Sequence, residues 1–352
     1  MKDIREFVKT EKNKLKMHII NMYEKPTLYI LQVGDHQASN AYIKGKIKDA
    51  EELGIEVILK KYPQNFPQHE LVGEINKLNT NFNCSAMIVQ LPLPEWFNEE
   101  YVLSQIDPSK DVDGFLKTSE VNPCTPTGIM DFLENGLKLK LTGKNALVIG
   151  RSNIVGKPMA RMLLDKNCTV SVAHSKTKVS DLKRLVSKAD IIVCAVGKRN
   201  MLNNDEFKFK KSAILIDVGI NRNEEGKLCG DCESVSGIRY KSPVPGGVGL
   251  LTRLALYKNL ISLKEKEPNY PIYIKTLIRD KVEYKVYLDD YGQQFFFVYK
   301  DENGESQEVS CGSYETDYKF CIDLQHKLNK KKRGKKKWKR KLLQTMIVKD
   351  IP

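Results

Sequence analysis

Apolar positions at helical spacing over about residues 3 to 23 predict an amphipathic first helix, and the continuous apolar run TLYILQVG after it predicts a buried strand. A second helical pattern runs from about Ala38 to Leu53 and stops at Gly54, with the strand EVILKKY next. A helix around HELVGEINKLN then leads to the strand SAMIVQLPLP. Such alternation predicts a parallel, doubly wound sheet with helices packed on it. From Asp107 to Pro126 the period is lost and the chain reads as loop. Alternation then resumes. NALVIG, CTVSVAHS, DIIVCAVG and AILIDVGI read as four strands, separated by a helix after Gly156 and the helical run KVSDLKRLVSKA. They make a second, nucleotide-type α/β domain, and LTRLALYKNLISLKE, residues 251 to 265, reads as a closing helix.

After the linker-like KEPNYP the period changes to two. DKVEYKVYLDDYGQQFFFVYKDENGESQEVSCG alternates polar with apolar positions across turns at DDYGQ and DENGE, the pattern of a β-meander. The expected division is therefore 1–120, completed by a closing helix at 250–266; a Rossmann-type domain at 121–249; and a β-rich, basic appendage at 268–352.

The chain has 352 residues, enough for two ordinary domains and a small third module, and its 41% apolar and 29% charged content is that of a globular protein. No apolar run approaches the ~20 residues of a membrane span, and the first residues carry no signal-peptide core, so a cytoplasmic chain is expected. The eight cysteines are scattered, several within apolar strands, which predicts reduced core thiols. Cys229 and Cys232 form one C-x-x-C, but no second pair stands at zinc-like spacing, and no metal is expected. Eleven of the Lys and Arg residues behind the net charge of +14 lie between Lys327 and Lys341, with no acid among them; the rest of the chain is close to neutral. This run, with Trp338 inside it, has two readings: a solvated tail, or a grip on nucleic acid phosphates or an anionic surface.

Chemistry enters with VIGRSNIVGKPMARML. A strand feeding a glycine turn and a helix N-terminus offers backbone N–H groups and a positive dipole end to a pyrophosphate. Gly150 makes the turn, Gly156 allows close packing, and Ser152 stands where a second glycine is usual. A tight β-to-α connection without a ligand would look similar. The next strand ends in His174, Ser175 and Lys176 with no acid to hold a ribose 2′-hydroxyl, while Arg151 adds positive charge, which favours NADP over NAD. In the first domain Ser39, Tyr42 and Lys46 share a helix face, a phenol beside an amine suited to proton transfer or to solvation. Gln90 ends a buried strand, Asp111 and Asp113 in KDVDGF are spaced to face the same way, and Pro245, Gly246 and Gly247 in PVPGGVG suit a lid.

SNAYIKGK, VQLPLP, KDVDGF, PCTPTG, VIGRSNIVGKP, HSKT, ADIIVCAVGK, IDVGIN and PVPGGVG, in this order, closely resemble the bifunctional methylenetetrahydrofolate dehydrogenase/methenyltetrahydrofolate cyclohydrolase family over roughly residues 1 to 265. The resemblance implies a homodimer with a cleft between a folate-binding domain and an NADP-binding Rossmann domain. It implies NADP-dependent oxidation of 5,10-methylenetetrahydrofolate and hydrolysis of the methenyl product to 10-formyltetrahydrofolate; a member with only one of these activities is the alternative. Carried over by position, Lys46 acts on the attacking water, Gln90 tunes it, and Tyr42 stacks on the folate. Asp113 bonds the pterin, with Ser39, Pro245, Gly246 and Gly247 as further substrate contacts. Gly150, Arg151, Ser152, Ile154, Val155, Gly156, His174, Ser175 and Ile220 are the cofactor contacts. Short-chain dehydrogenases also use Tyr-x-x-x-Lys, but after the nucleotide turn; here it comes before. The chain departs from the family at Leu250 and Leu251, which replace the usual Pro-Met; loss of the proline is expected to loosen the start of the closing helix.

Overall fold

A computed structural model describes residues 3–266, apart from Tyr23 and Phe82, and the backbone of four strands between 272 and 310. The chain divides into two compact units, Met1–Lys264 and Glu265–Pro352.

The first unit opens with helix α1 (Ile4–Ile20), strand β1 (Thr27–Val33), helix α2 (Gln37–Leu53) and strand β2 (Glu56–Tyr62). Helix α3 (Gln68–Asn79), strand β3 (Ala86–Val89) and helix α4 (Glu99–Ser104) follow. The sheet order is β2-β1-β3, all parallel, with β1 buried along nearly its whole length because it lies between the other two. Gly54 ends α2 in the left-handed conformation, φ 76°, where a side chain would be strained.

The expected loop after residue 107 yields at Cys124. Helix α5 (Cys124–Asp131) continues into a π-helical turn, Phe132–Gly136, whose Phe132 and Leu133 are fully buried. Strand β4 (Asn145–Ile149), helix α6 (Gly156–Asp165), strand β5 (Thr169–Ala173), helix α7 (Val179–Lys188), strand β6 (Ile191–Cys194) and strand β7 (Ile214–Asp217) match the expected alternation. A hairpin of β8 (Asn221–Arg222) and β9 (Leu228–Cys229) precedes β10 (Tyr240–Lys241). This sheet has five parallel strands, β10-β7-β6-β4-β5, one more than expected, because two residues of β10 are too few to carry a period.

Helix α8 (Val248–Lys266) joins the two cores. Leu251 and Leu254 pack with Ile129, Met159 and Val148, while Ala255, Leu256, Tyr257 and Leu260 pack with Leu28, Ile30 and Ala50. A helix apolar on nearly every side has to be buried. It starts at Val248, two residues ahead of Leu250, so the missing proline does not displace the helix start. The magnitudes explain this: each buried leucine contributes roughly 1.5–3 kcal/mol, and α8 buries ten residues.

The second unit is an antiparallel meander of β11 (Ile272–Arg279), β12 (Val282–Leu288), β13 (Phe295–Lys300) and β14 (Ser306–Ser310). The period-two segment supplies β12 to β14; β11 precedes it. The basic run 327–341 and its reading as a nucleic acid or anionic-surface grip lie outside the described residues. No described helix is long and apolar enough to cross a membrane.

Candidate active site

Helix α2, the end of β3 and the start of α8 converge on a pocket of about 180 Å³. Its lining includes Tyr42, Lys46, Gln90, Asp113, Thr125, Ile154, Thr252 and Arg253. Tyr42 and Lys46 are one helical turn apart on α2, with the Lys46 amine 6.0 Å from the Tyr42 ring centroid. Lys46 is only 6% exposed. Its Nζ donates to Gln90 Oε1 at 3.2 Å, and Gln90 Nε2 donates to the Leu91 carbonyl at 2.8 Å, so the amide is held at both ends. Behind the lysine, Tyr257 of α8 donates its hydroxyl to the Lys46 carbonyl at 2.5 Å.

Asp111 and Asp113 do not face the same way. Asp111 is buried and turned into its own loop, accepting from the backbone N–H of Leu116 at 2.8 Å and of Gly114 at 3.1 Å. The Gly114 N–H is shared with the Asp111 carbonyl at 3.3 Å, so a tight turn closes on the Asp111 carboxylate. Asp113 lines the pocket. Burial pushes its carboxyl above the usual carboxylate range, opposed by the charge of Lys46. Burial also raises the Tyr42 phenol, against the nearby Arg253 charge, and keeps it neutral and able to donate. The buried Cys124 thiol goes up for the same reason, with Asp113 adding to the effect.

Ser39 is not part of this lining: its hydroxyl donates to the Leu91 carbonyl at 3.3 Å and ties α2 to the turn after β3. Pro245, Gly246 and Gly247 are also outside it. A Cβ on Gly247 would stand 2.1 Å from the Pro243 carbonyl, which requires glycine there, and one on Gly246 would meet the Arg5 guanidinium.

The nucleotide turn is built from backbone. Gly150 has φ 118°, and a Cβ there would stand 2.4 Å from the Ala195 carbonyl; a Cβ on Gly156 would stand 2.4 Å from the Gly150 carbonyl. The turn therefore leaves a cradle at the N-terminus of α6 that side chains would fill. Ser152 also braces the turn. Its Oγ accepts from the N–H of Val155 and of Gly156, both at 3.2 Å, which leaves its O–H as the donor. Arg151, Ser152, Ile154, Ser175 and Ile220 are exposed, and Val155 and His174 half-buried. His174 Nδ1 accepts from the Lys176 N–H at 3.2 Å, and no acid follows β5 before α7. Ile154 lies both in this turn and in the lining of the pocket, so the two regions meet. The residues present fit a dinucleotide with an extra phosphate: close backbone, a helix N-terminus and unopposed cations.

Two buried carboxylates that the sequence left unexplained, Asp231 and Asp217, have a structural task. Asp231 accepts from the Val196 and Gly197 N–H at 2.9 and 3.0 Å and from Asn221, bracing the loop after β6. Asp217 accepts from the N–H of Asp231 at 2.9 Å and of Cys232 at 2.8 Å. Cys229 and Cys232 are free, buried thiols, and no group of metal-ligating side chains occurs among the described residues.

Sequence reading missed Thr125, Thr252 and Arg253 in the pocket. Thr252, Arg253 and Leu256 do carry a signal, since they share one face of the closing helix, but nothing local says that this face returns to α2.

Fold and pocket define a class: a two-domain α/β enzyme in which a dinucleotide-type turn opens onto a lysine-bearing pocket. Residues 1–113 match the tetrahydrofolate dehydrogenase/cyclohydrolase catalytic domain, and residues 123–268 match the NAD(P)-binding domain of the same enzymes. The chain is 45% identical over 254 residues to the bifunctional protein FolD of Polaromonas naphthalenivorans, covering 68% of this chain and 88% of that one. The bifunctional methylenetetrahydrofolate dehydrogenase/cyclohydrolase of Campylobacter jejuni superposes with a TM-score of 0.69 at 39% identity, over 74% of this chain and 96% of that one. The Trypanosoma brucei enzyme, solved with NADP and an inhibitor, has a TM-score of 0.69 at 29% identity, over 76% of this chain and 97% of that one. The chain belongs to the tetrahydrofolate dehydrogenase/cyclohydrolase family of one-carbon folate enzymes.

Proposed function

We propose that this pocket oxidises 5,10-methylenetetrahydrofolate with NADP and hydrolyses the methenyl product to 10-formyltetrahydrofolate. The observation that carries the reading is a single pocket lined by Lys46 and by Ile154 of the nucleotide turn, so one bound folate reaches both chemistries.

The folate ring stacks on Tyr42, and Asp113 accepts from its ring N–H groups. Gly150, Arg151, Ser152, Ile154, Val155, Gly156, His174, Ser175 and Ile220 form the site for NADP. When bound, NADP supplies the acceptor for the hydride that leaves the methylene carbon. The methenyl product is already a cation, so hydrolysis needs a placed water and a route for its proton more than it needs an oxyanion site. Lys46, held by Gln90, orients that water. Its oxygen bonds to the methenyl carbon, one proton leaves past Lys46, the bond from that carbon to N5 breaks, and N5 takes the other proton. Ser39 acts one step away, by fixing the turn that carries Gln90.

The same reading takes the enzyme as a cytoplasmic homodimer, on the family pattern; sedimentation at the mass of one chain would remove the dimer. For the chemistry, purified protein is mixed with methylenetetrahydrofolate and NADP, or NAD, and NADPH and methenyl absorbance are followed. Faster reduction of NADP than of NAD is expected. No reduction of either nucleotide would end the dehydrogenase reading.

A further inference from the structure

Arg253 stands in the pocket wall as a second cation beside Lys46. Its Nε donates to Asp49 at 2.6 Å, and Asp49, 6% exposed on its side chain, also takes Lys12 at 2.6 Å. Its terminal Nη1 lies over Gly45, where a Cβ would be 2.6 Å away. Asp49 and Gly45 thus fix and make room for a guanidinium whose described bond uses Nε alone.

Apart from the Tyr42 phenol, whose ring is taken up by stacking on the folate in the reading above, the other polar lining groups are committed. Both ends of the Gln90 amide are bonded. Thr125 and Thr252 share a hydrogen bond of 2.9 Å, and the Thr252 hydroxyl lies 3.1 Å from the Val248 carbonyl. Lys46 is reserved for the reacting carbon on the reading above. Asp113, when ionised, only accepts. The lactam edge of a pterin presents a carbonyl beside an N–H, so a ring held by Asp113 needs a donor for the adjacent oxygen. An acceptor left without one loses its hydration without return.

We propose that Arg253 is a specificity-determining residue of the pocket, donating from its terminal nitrogens to an oxygen acceptor on the folate ring. This rests on the folate reading of the site. A carboxylate of the folate glutamate offers the same acceptor chemistry, and the test separates the two. Dissociation constants for tetrahydrofolate and for tetrahydropteroate, which lacks the glutamate, are measured by calorimetry, with KM and kcat for their methylene forms and the thermal midpoint of each variant. Arg253→Met should weaken binding and raise KM about tenfold or more with both compounds, with kcat changed less. Gly45→Ala keeps every charge and places a better helix former in α2; it should displace the guanidinium and raise KM without lowering the midpoint. Arg253→Lys should recover part of the loss. Unchanged affinity in Arg253→Met and Gly45→Ala, with only a lowered midpoint in Arg253→Met, would reduce Arg253 to an ion pair between α2 and α8. A loss confined to the glutamate-bearing compound would also overturn the assignment. Failure of the folate reading looks different: the unmodified enzyme then neither binds tetrahydrofolate nor reduces NADP.

Discussion

The pocket and the nucleotide turn meet at Ile154 but are made in opposite ways. The pocket is made of side chains that tertiary packing gathers from α2, β3, the loop at Asp113 and α8, each held by a second group: Lys46 by Gln90, Arg253 by Asp49. The turn is made of backbone within seven residues, with the side chains of Arg151 to Ile154 exposed and Ser152 holding two of its amides. The first should therefore fail when a functional group is removed, the second when a carbon is added.

The largest effect is expected at Lys46. With methenyltetrahydrofolate supplied directly, Lys46→Met should slow hydrolysis by roughly 10²–10⁴-fold, the range of a lost proton-transfer group, as read by decay of methenyl absorbance. In the turn, Gly150→Ala puts a Cβ against the Ala195 carbonyl at positive φ. It should cost about 1–3 kcal/mol in chemical denaturation and weaken NADP more than folate. Removing charge from the same region sharpens the contrast. Arg151→Ala and Ser175→Ala should each cut the NADP-over-NAD preference in kcat/KM, by about tenfold for the arginine, while leaving hydrolysis alone.

Asp113 tests the pocket by pH. Because burial raises its carboxyl, substrate affinity should fall as pH is lowered, starting at a higher pH than that at which an ordinary carboxylate takes a proton, and Asp113→Asn should remove that acid limb while lowering kcat/KM throughout. A control far from both regions is expected to be small. Glu74, bonded to Lys60, Lys77 and Tyr62, is held down to about 2. A depressed carboxylate stabilises the fold above its unfolded value, near about 4.3, and that contribution fades as pH falls from there toward about 2. Glu74→Gln should cost up to about 1 kcal/mol near neutrality and nothing near pH 2 by denaturant titration, with turnover unchanged.

The same contrast explains what could be read from the sequence. Backbone chemistry is contiguous, so Gly150 to Gly156 and the acid-free end of β5 announce a phosphate-binding turn, and strand and helix periods give the α/β alternation. Short elements escape: α4 and β10 are too brief for a period, and the π-helical turn after α5 has no signature. The pocket was half legible. Tyr42 and Lys46 share a helix face, but the pairing of Asp49 with Arg253, 204 residues apart, follows only from the return of α8. Asp111 and Asp113 show the limit most clearly. Two identical residues two positions apart have different fates, because loop amides claim one carboxylate and the pocket receives the other.

The most direct test of two separately built chemistries in one cleft is a single reaction of Lys46→Met with methylenetetrahydrofolate and NADP, with NADPH and methenyl absorbance recorded together. The account predicts that NADPH forms and the methenyl signal accumulates with it instead of decaying to 10-formyltetrahydrofolate. Formation of 10-formyltetrahydrofolate at the rate of the unmodified enzyme would contradict it.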